Sequence, residues 1–256
     1  MVSPRRRLLL LGVAGVAVVA LLVVLGLRLL GTTGDPAARP DQARPGTILL
    51  VPGYGGSRAA LSRLADVLAA EGRTTDVLTL PGDGTGDLLR QADTLDSAVR
   101  AALRAGAPSV DVIGYSAGGV VTRLWVERHH GAEVTRRIVT LGSPLHGAKI
   151  AGVGAALTPD ACPQACRQLA PGSDLLRGLD GPLPAGLPWL SIWTENDETV
   201  QPPDSARLAG AVNVPLQSIC PSARVAHGDL PTDPDVTALV RAALGTTPLT
   251  APTRCP

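Results

Sequence analysis

Ser116, Asp197 and His227 are the side chains best suited by type and spacing to act together. Ser116 lies in Gly114-Tyr115-Ser116-Ala117-Gly118, between the apolar run SVDVI and the segment AGGVVTRLW. A G-x-S-x-G sequence at a sharp strand-to-helix turn forms a nucleophile elbow, which lifts the hydroxyl above the sheet edge. Gly114 and Gly118 let strand and helix pass close to that turn, and Gly119 thins the helix face. A serine that merely caps the helix is the plainer alternative. The strand before it and the helix after it favour the nucleophile.

A hydroxyl needs a base, and the base needs an orienting acid. The four histidines are His129, His130, His146 and His227. His129 and His130 end the elbow helix, where cationic character suits the helix dipole. His146, in GSPLHG, precedes every plausible acid and breaks the Ser…Asp/Glu…His order of this elbow type. His227, in the loop SARVAHGDLPTDP before the last helix, is the expected base. The expected acid is in TENDETV, residues 194–200, just past a strand: Asp197, with Glu195 as runner-up. Asp204 reads as a helix cap and Asp229 as a residue that fixes the histidine loop.

Acyl transfer also needs donors where the oxyanion develops. VPGYGGS, residues 51–57, leaves a strand and enters a helix, so the backbone N–H groups of Tyr54 and Ala117 are the candidate donors. A phosphate-cradling loop is the competing reading of Gly53, Gly55 and Gly56, but the spacing matches neither G-x-x-x-x-G-K-[ST] nor G-x-G-x-x-G. No cofactor is expected. Cys162 and Cys166 lack flanking partners at metal-ligand spacing, so no metal is expected either.

These residues must be held at one edge of a sheet. Strand-like runs occur at 47–51, 75–81, 109–115, 136–142, 188–194 and 213–219. Helical periodicity marks 57–72, with Ser57 as cap and Gly72 as stop, and also 87–106, 117–131 and 235–245. The alternation predicts an α/β fold, a mostly parallel sheet with helices on both faces. Residues 143–187, rich in Gly, Pro and Ala, predict an irregular excursion over the carboxyl ends of the strands, where function concentrates.

The remaining features bound the setting. The net charge of +1 exerts no pull on nucleic acid. Phe is absent and aromatics are 2 % of the chain, so the core must be aliphatic. Arg5–Arg7 precede LLLLGVAGVAVVALLVVLGL, residues 8–27. Twenty apolar residues match a bilayer's hydrocarbon thickness, so residues 1–31 read as a signal peptide or a transmembrane anchor, either of which exports the body. Residues 32–45 read as a Pro/Ala-rich linker and 46–256 as the catalytic domain. Four cysteines in an exported chain suggest disulfides. Three connectivities are possible, and Cys162–Cys166 with Cys220–Cys255 is the most economical. A monomer is expected.

With these motifs placed, the chain resembles the alpha/beta-hydrolase superfamily over roughly residues 46–245, and within it the small secreted bacterial and actinobacterial lipases of class 2. VPGYGG is similar to their H-G-x-G-G loop, with Pro52 in place of His. GYSAGG, IVTLGSPLHG and NDETVQPPDSA are similar to their elbow, the strand after it and the acid loop. The resemblance implies a three-layer sandwich and an extracytoplasmic serine hydrolase acting on carboxylic esters, including acylglycerols. It also implies an ester or lipid substrate, with membrane contact only through an uncleaved N-terminal segment. Two alternatives stay open: an acyltransferase acting on an envelope lipid or glycan with the same three residues, and a non-catalytic binding protein of the same fold. The Cys162–Cys166 insert departs from the smallest members and is placed to cover part of an acyl site.

Overall fold

The computed structural model describes residues 39–256. In chain order its main elements are β1 (Thr47–Val51), α1 (Ala59–Ala70), β2 (Thr75–Val77), α2 (Leu88–Arg104), β3 (Val110–Tyr115), α3 (Ala117–Arg128) and β4 (Thr135–Leu141). There follow α4 (Lys149–Leu157), α5 (Gln164–Gln168), α6 (Asp174–Arg177), β5 (Trp189–Trp193), β6 (Val212–Pro215), α7 (Leu216–Ile219) and α8 (Pro234–Ala243). Six parallel strands form one sheet in the order β2-β1-β3-β4-β5-β6.

Alternating strand residues feed two cores. Ile48, Leu50, Ile113 and Val139 pack under Leu61, Leu64 and Leu68 of α1 and Val236, Leu239 and Val240 of α8. Leu49, Val51, Val112 and Ile138 face the other way, toward Leu95 and Val99 of α2 and Val121 and Trp125 of α3. Helices on both faces of a parallel sheet make this the three-layer sandwich of the alpha/beta-hydrolase fold. The strand order reverses between β1 and β3, so their carboxyl ends flank a natural crevice. Tyr54 follows one of these strands and Ser116 the other.

The opposite end of the sheet is held by charge. Asp111 and Arg136, both fully buried, pair at 2.6 Å, and Arg73 joins the same carboxylate oxygen at 2.6 Å. Arg136 also donates to the carbonyls of Leu244 and Gly245, fastening the end of α8 beneath the strands. Arg39 donates to the carbonyls of Ala132 and Ala185, so residues just ahead of β1 lie against the body.

Several expectations need correction. β2 ends at Val77 rather than 81, because Leu78 already makes the last tie to β1, at Leu50. Residues 216–219 form the helical turn α7 instead of continuing a strand; Pro215 has no N–H for a ladder and its φ of −65° suits a helix start. The excursion is more regular than expected: α4, α5 and α6 lie within 143–187. Arg58, not Ser57, stands at the start of α1, without a side-chain cap. Asp204 sits inside a short 3₁₀ turn, Pro203–Ala206, and caps no helix. The transmembrane assignment is withdrawn. No helix among the described residues is long and apolar enough to cross a membrane, and the run at 8–27 that prompted it lies outside the described residues, as does the remainder of segment 1–31.

Both disulfides join the expected partners, Cys162–Cys166 and Cys220–Cys255. The first closes the turn between α4 and α5. The second ties the C-terminal tail to the end of α7.

Candidate functional site

Ser116 stands between β3 and α3 with φ 52° and ψ −128°, a backbone conformation that a residue with a Cβ rarely adopts. The surroundings hold it there. Its N–H donates to the carbonyl of Leu141 in β4 at 2.8 Å. A Cβ on Gly118 would sit 2.2 Å from the Val51 carbonyl oxygen, one on Gly119 would sit 2.0 Å from Ser143 Oγ, and one on Gly114 would meet Gly119 Cα at 2.7 Å. The expectation that Gly114 and Gly118 serve close passage thus has a geometric basis. Gly119 is packed tightly against the loop after β4.

His227 begins a short 3₁₀ turn, His227–Asp229, and is 5 % exposed. Its Nε2 lies 3.0 Å from Ser116 Oγ and its Nδ1 lies 2.6 Å from Asp197 Oδ2. Asp197 is 1 % exposed. Its other carboxylate oxygen accepts the backbone N–H groups of Thr199 at 2.9 Å and Val200 at 2.6 Å. Thr194 Oγ1 donates to the Val225 carbonyl, pinning the acid loop to the histidine loop. Three side chains from three chain regions therefore form one hydrogen-bonded line.

Three residues that sequence reasoning gave no such role surround His227. Tyr115 Oη donates to the His227 carbonyl at 3.2 Å, and its ring lies 5.2 Å from the imidazole. Burial, followed by the charges of Asp197, Glu198 and Asp229, pushes the Tyr115 phenol up to about 12. Glu198 Oε2 accepts the His227 N–H at 3.2 Å. Gly142, with φ +54°, leaves the space beneath the pair: a Cβ there would come within 3.1 Å of His227 Nδ1 and 3.2 Å of Asp197 Oδ2. Tyr115 and Glu198 neighbour residues already singled out, but nothing in their local sequence signals contact with residue 227.

The loop after β1 runs against the elbow. A Cβ on Gly53 would lie 2.8 Å from Ser116 Cβ. Among the described residues, the backbone N–H groups of Tyr54 and Ala117 have no hydrogen-bond partner. The remaining candidates lie elsewhere. Glu195 is exposed, and its N–H is taken by Gln217. His146 Nε2 contacts the Arg207 carbonyl. His129 pairs with Asp93 at the end of α3. Asp229 accepts the N–H groups of Thr232 and Asp233 through its backbone carbonyl, which shapes the histidine loop. The one His/Cys/Asp/Glu cluster of metal-ligand size among the described residues is Cys220, Asp235 and Cys255, and its two sulfurs are bonded to each other.

A cavity of about 350 Å³ opens at Ser116, with Tyr54, Ala117, Ala151, Leu169 and Val200 among its walls. A larger depression of about 850 Å³, bordered by Leu124, Glu127 and Arg167, touches none of Ser116, Asp197 and His227. Ser116 borders the smaller cavity, and His227 Nε2 lies 3.0 Å from its Oγ.

The sequence family described as PGAP1-like alpha/beta domain matches residues 43–153. No curated protein sequence matches the chain. Among solved structures, Aspergillus fumigatus lipase B is similar at 22 % identity with a TM-score of 0.67, covering 78 % of this chain and 52 % of that one. The propeptide form of Bacillus licheniformis lipase BlEst2 is similar at 19 % identity with a TM-score of 0.68, covering 86 % of this chain and 54 % of that one. Its mature form gives 20 % identity and a TM-score of 0.58, covering 71 % and 86 %. The chain thus spans about half the length of the fungal lipase and of the bacterial propeptide form. At these identities the likeness is one of fold.

Proposed function

We propose that the chain is an extracytoplasmic serine hydrolase that cleaves carboxylic esters, including acylglycerols, through an acyl-enzyme on Ser116. The observation that carries this reading is the hydrogen-bonded line Asp197–His227–Ser116, with contacts of 2.6 and 3.0 Å. His227 Nε2 takes the hydroxyl proton as Ser116 Oγ attacks the ester carbonyl. The Tyr54 and Ala117 N–H groups receive the oxyanion, where such donors act most strongly because they are fixed beforehand. His227 then returns the proton to the departing alcohol. Water, deprotonated by the same nitrogen, releases the carboxylic acid and restores the hydroxyl. Asp197 holds the proton on Nδ1 and stabilises the imidazolium. No step requires a cofactor.

Two disulfides favour an oxidising compartment. The likeness to the fungal and bacterial lipase structures adds weight to the ester class, as does the apolar cavity at Ser116. We further propose that residues 46–256 form the catalytic domain and that the chain acts as a monomer. The test is turnover of p-nitrophenyl esters by the full chain beside its Ser116→Ala variant. Turnover that falls at least a thousand-fold in the variant is expected, together with covalent labelling of Ser116 by a fluorophosphonate. Ester turnover unchanged by the substitution would refute the reading.

A further inference from the structure

Resting on the ester-hydrolase reading above, we propose that the cavity beside Ser116 takes one unbranched acyl chain of medium length, and that Ala151, Leu169 and the Cys162–Cys166 disulfide set its limit. The first ground is size. The cavity holds about 350 Å³. At roughly 30 Å³ per non-hydrogen atom, the share of a water molecule in its liquid, it accommodates about a dozen such atoms. Two or three of these belong to the ester group at Ser116, which leaves room for about eight to ten carbons.

The second ground is chemistry. Beyond the mouth, where Ser116 and Tyr54 stand, the walls include Pro144, Ala148, Ala151, Leu169 and Val200. A hydroxylated or charged acyl group would give up water there for aliphatic carbon, which is unfavourable. A methylene chain gains by the same exchange.

The third ground is that the wall is fastened on several sides. The Ala148 N–H donates to the Leu169 carbonyl at 3.0 Å, and the Lys149 N–H donates to the Gln201 carbonyl at 2.8 Å. The start of α4 is thereby tied both to α5 and to the acid loop. Further along α4 the disulfide packs directly on Gly154: a Cβ there would stand 3.2 Å from Cys166 Sγ and 3.7 Å from Cys162 Sγ. Gly154 and Cys166 both border the cavity. The helix and the disulfide are thus already in contact where a longer chain would have to pass. Leu169 and Ala151 are 5 % and 8 % exposed, so a change in their size alters the space inside the cavity.

The experiment measures kcat/KM of the full chain for p-nitrophenyl acetate, butyrate, octanoate, decanoate and palmitate, each below its aggregation limit. Each methylene buried raises kcat/KM by up to about four-fold, so the profile climbs from butyrate to octanoate and falls at least ten-fold by palmitate. Leu169→Ala removes three carbons from the wall and moves the maximum about three carbons longer. Ala151→Leu adds three and moves it about as far in the opposite direction. Melting temperature and fluorophosphonate labelling report whether each variant is folded. General destabilisation lowers all esters together, whereas the proposal requires shifts of opposite sign. A flat profile, or variants that scale every ester equally, would overturn the proposal while leaving the hydrolase reading intact. Absence of Ser116-dependent turnover for every ester would overturn that reading and this proposal with it.

Discussion

Replacing Asp197 with Asn keeps the side chain's shape and removes its charge, and the surroundings determine which way the new amide turns. Oδ1 accepts two backbone N–H groups, from Thr199 and Val200, while Oδ2 faces His227 Nδ1. In Asp197→Asn the amide oxygen must stay with the two donors, so the NH₂ group faces Nδ1. Nδ1 then becomes an acceptor and the imidazole carries its proton on Nε2, toward Ser116, where it can no longer take the hydroxyl proton. Loss of the correct tautomer in a Ser-His-Asp set lowers kcat about 10⁴-fold. The escape route is the flipped amide, which leaves the buried N–H of Val200 and the part-buried N–H of Thr199 facing an NH₂. At about 1–3 kcal/mol for each unpaired group, the flip costs at least about 2 kcal/mol and is populated to no more than about 4 %. The loss therefore falls between about thirty-fold and 10⁴-fold. Burst and steady-state kinetics on p-nitrophenyl butyrate measure it, with melting temperature as the control for folding. A variant that keeps more than a tenth of wild-type kcat would refute the tautomer argument and the role given to Asp197.

Two further expectations concern stability and titration. Tyr115 ionises near pH 12 rather than 10, so between those values the unfolded chain gives up a proton that the folded chain keeps. Its contribution to stability is present below about pH 10 and is lost as pH rises through about 12. Phenolate absorbance of the wild type minus that of Tyr115→Phe reads this directly, and a Tyr115 phenol titrating near pH 10 in the folded protein would contradict it. At the opposite end of the sheet, Asp111→Ala leaves fully buried Arg136 without its carboxylate. Breaking a buried pair costs about 3–5 kcal/mol, which lowers Tm by roughly 6–20 °C in a domain of this size. A Tm within about 2 °C of wild type would show that the remaining carbonyl contacts of Arg136 suffice.

Periodicity made most of the fold legible. All six strands and the four long helices α1, α2, α3 and α8 fall within runs that apolar pattern marks, although the runs at 75–81 and 213–219 overshoot the ends of β2 and β6. The failures share a cause. The seven residues NVPLQSI look strand-like by composition, yet Pro215 has no N–H, so the sheet ends there and a helical turn begins. Residues 149–157, KIAGVGAAL, contain two glycines among apolar residues and read as loop, although packing against the disulfide and the acid loop makes them helical. Three-dimensional neighbours decide such segments, and a one-dimensional pattern does not contain them.

The candidate site divides along the same line. Ser116 and Asp197 were recoverable because each follows the end of a strand, and chain order then restricted which histidine could serve the hydroxyl, leaving His227 in the loop before the last helix. The groups that hold them were not recoverable. Gly142 matters because a Cβ there would meet the side chains of Leu230, His227 and Asp197, and Gly53 because a Cβ there would press on Ser116, all residues far away in sequence. Glu198 matters because its carboxylate accepts the N–H of a residue 29 positions away. Holding Ser116 in a left-handed conformation costs on the order of 1–3 kcal/mol, and the small residues around it permit the tight packing that opposes its relaxation. A methyl group at Gly119 would meet Ser143 Oγ at 2.0 Å and push the elbow helix off β4. Such a change would move the hydroxyl without touching Ser116, Asp197 or His227. The geometry of the line thus depends on where side chains are missing as much as on which are present.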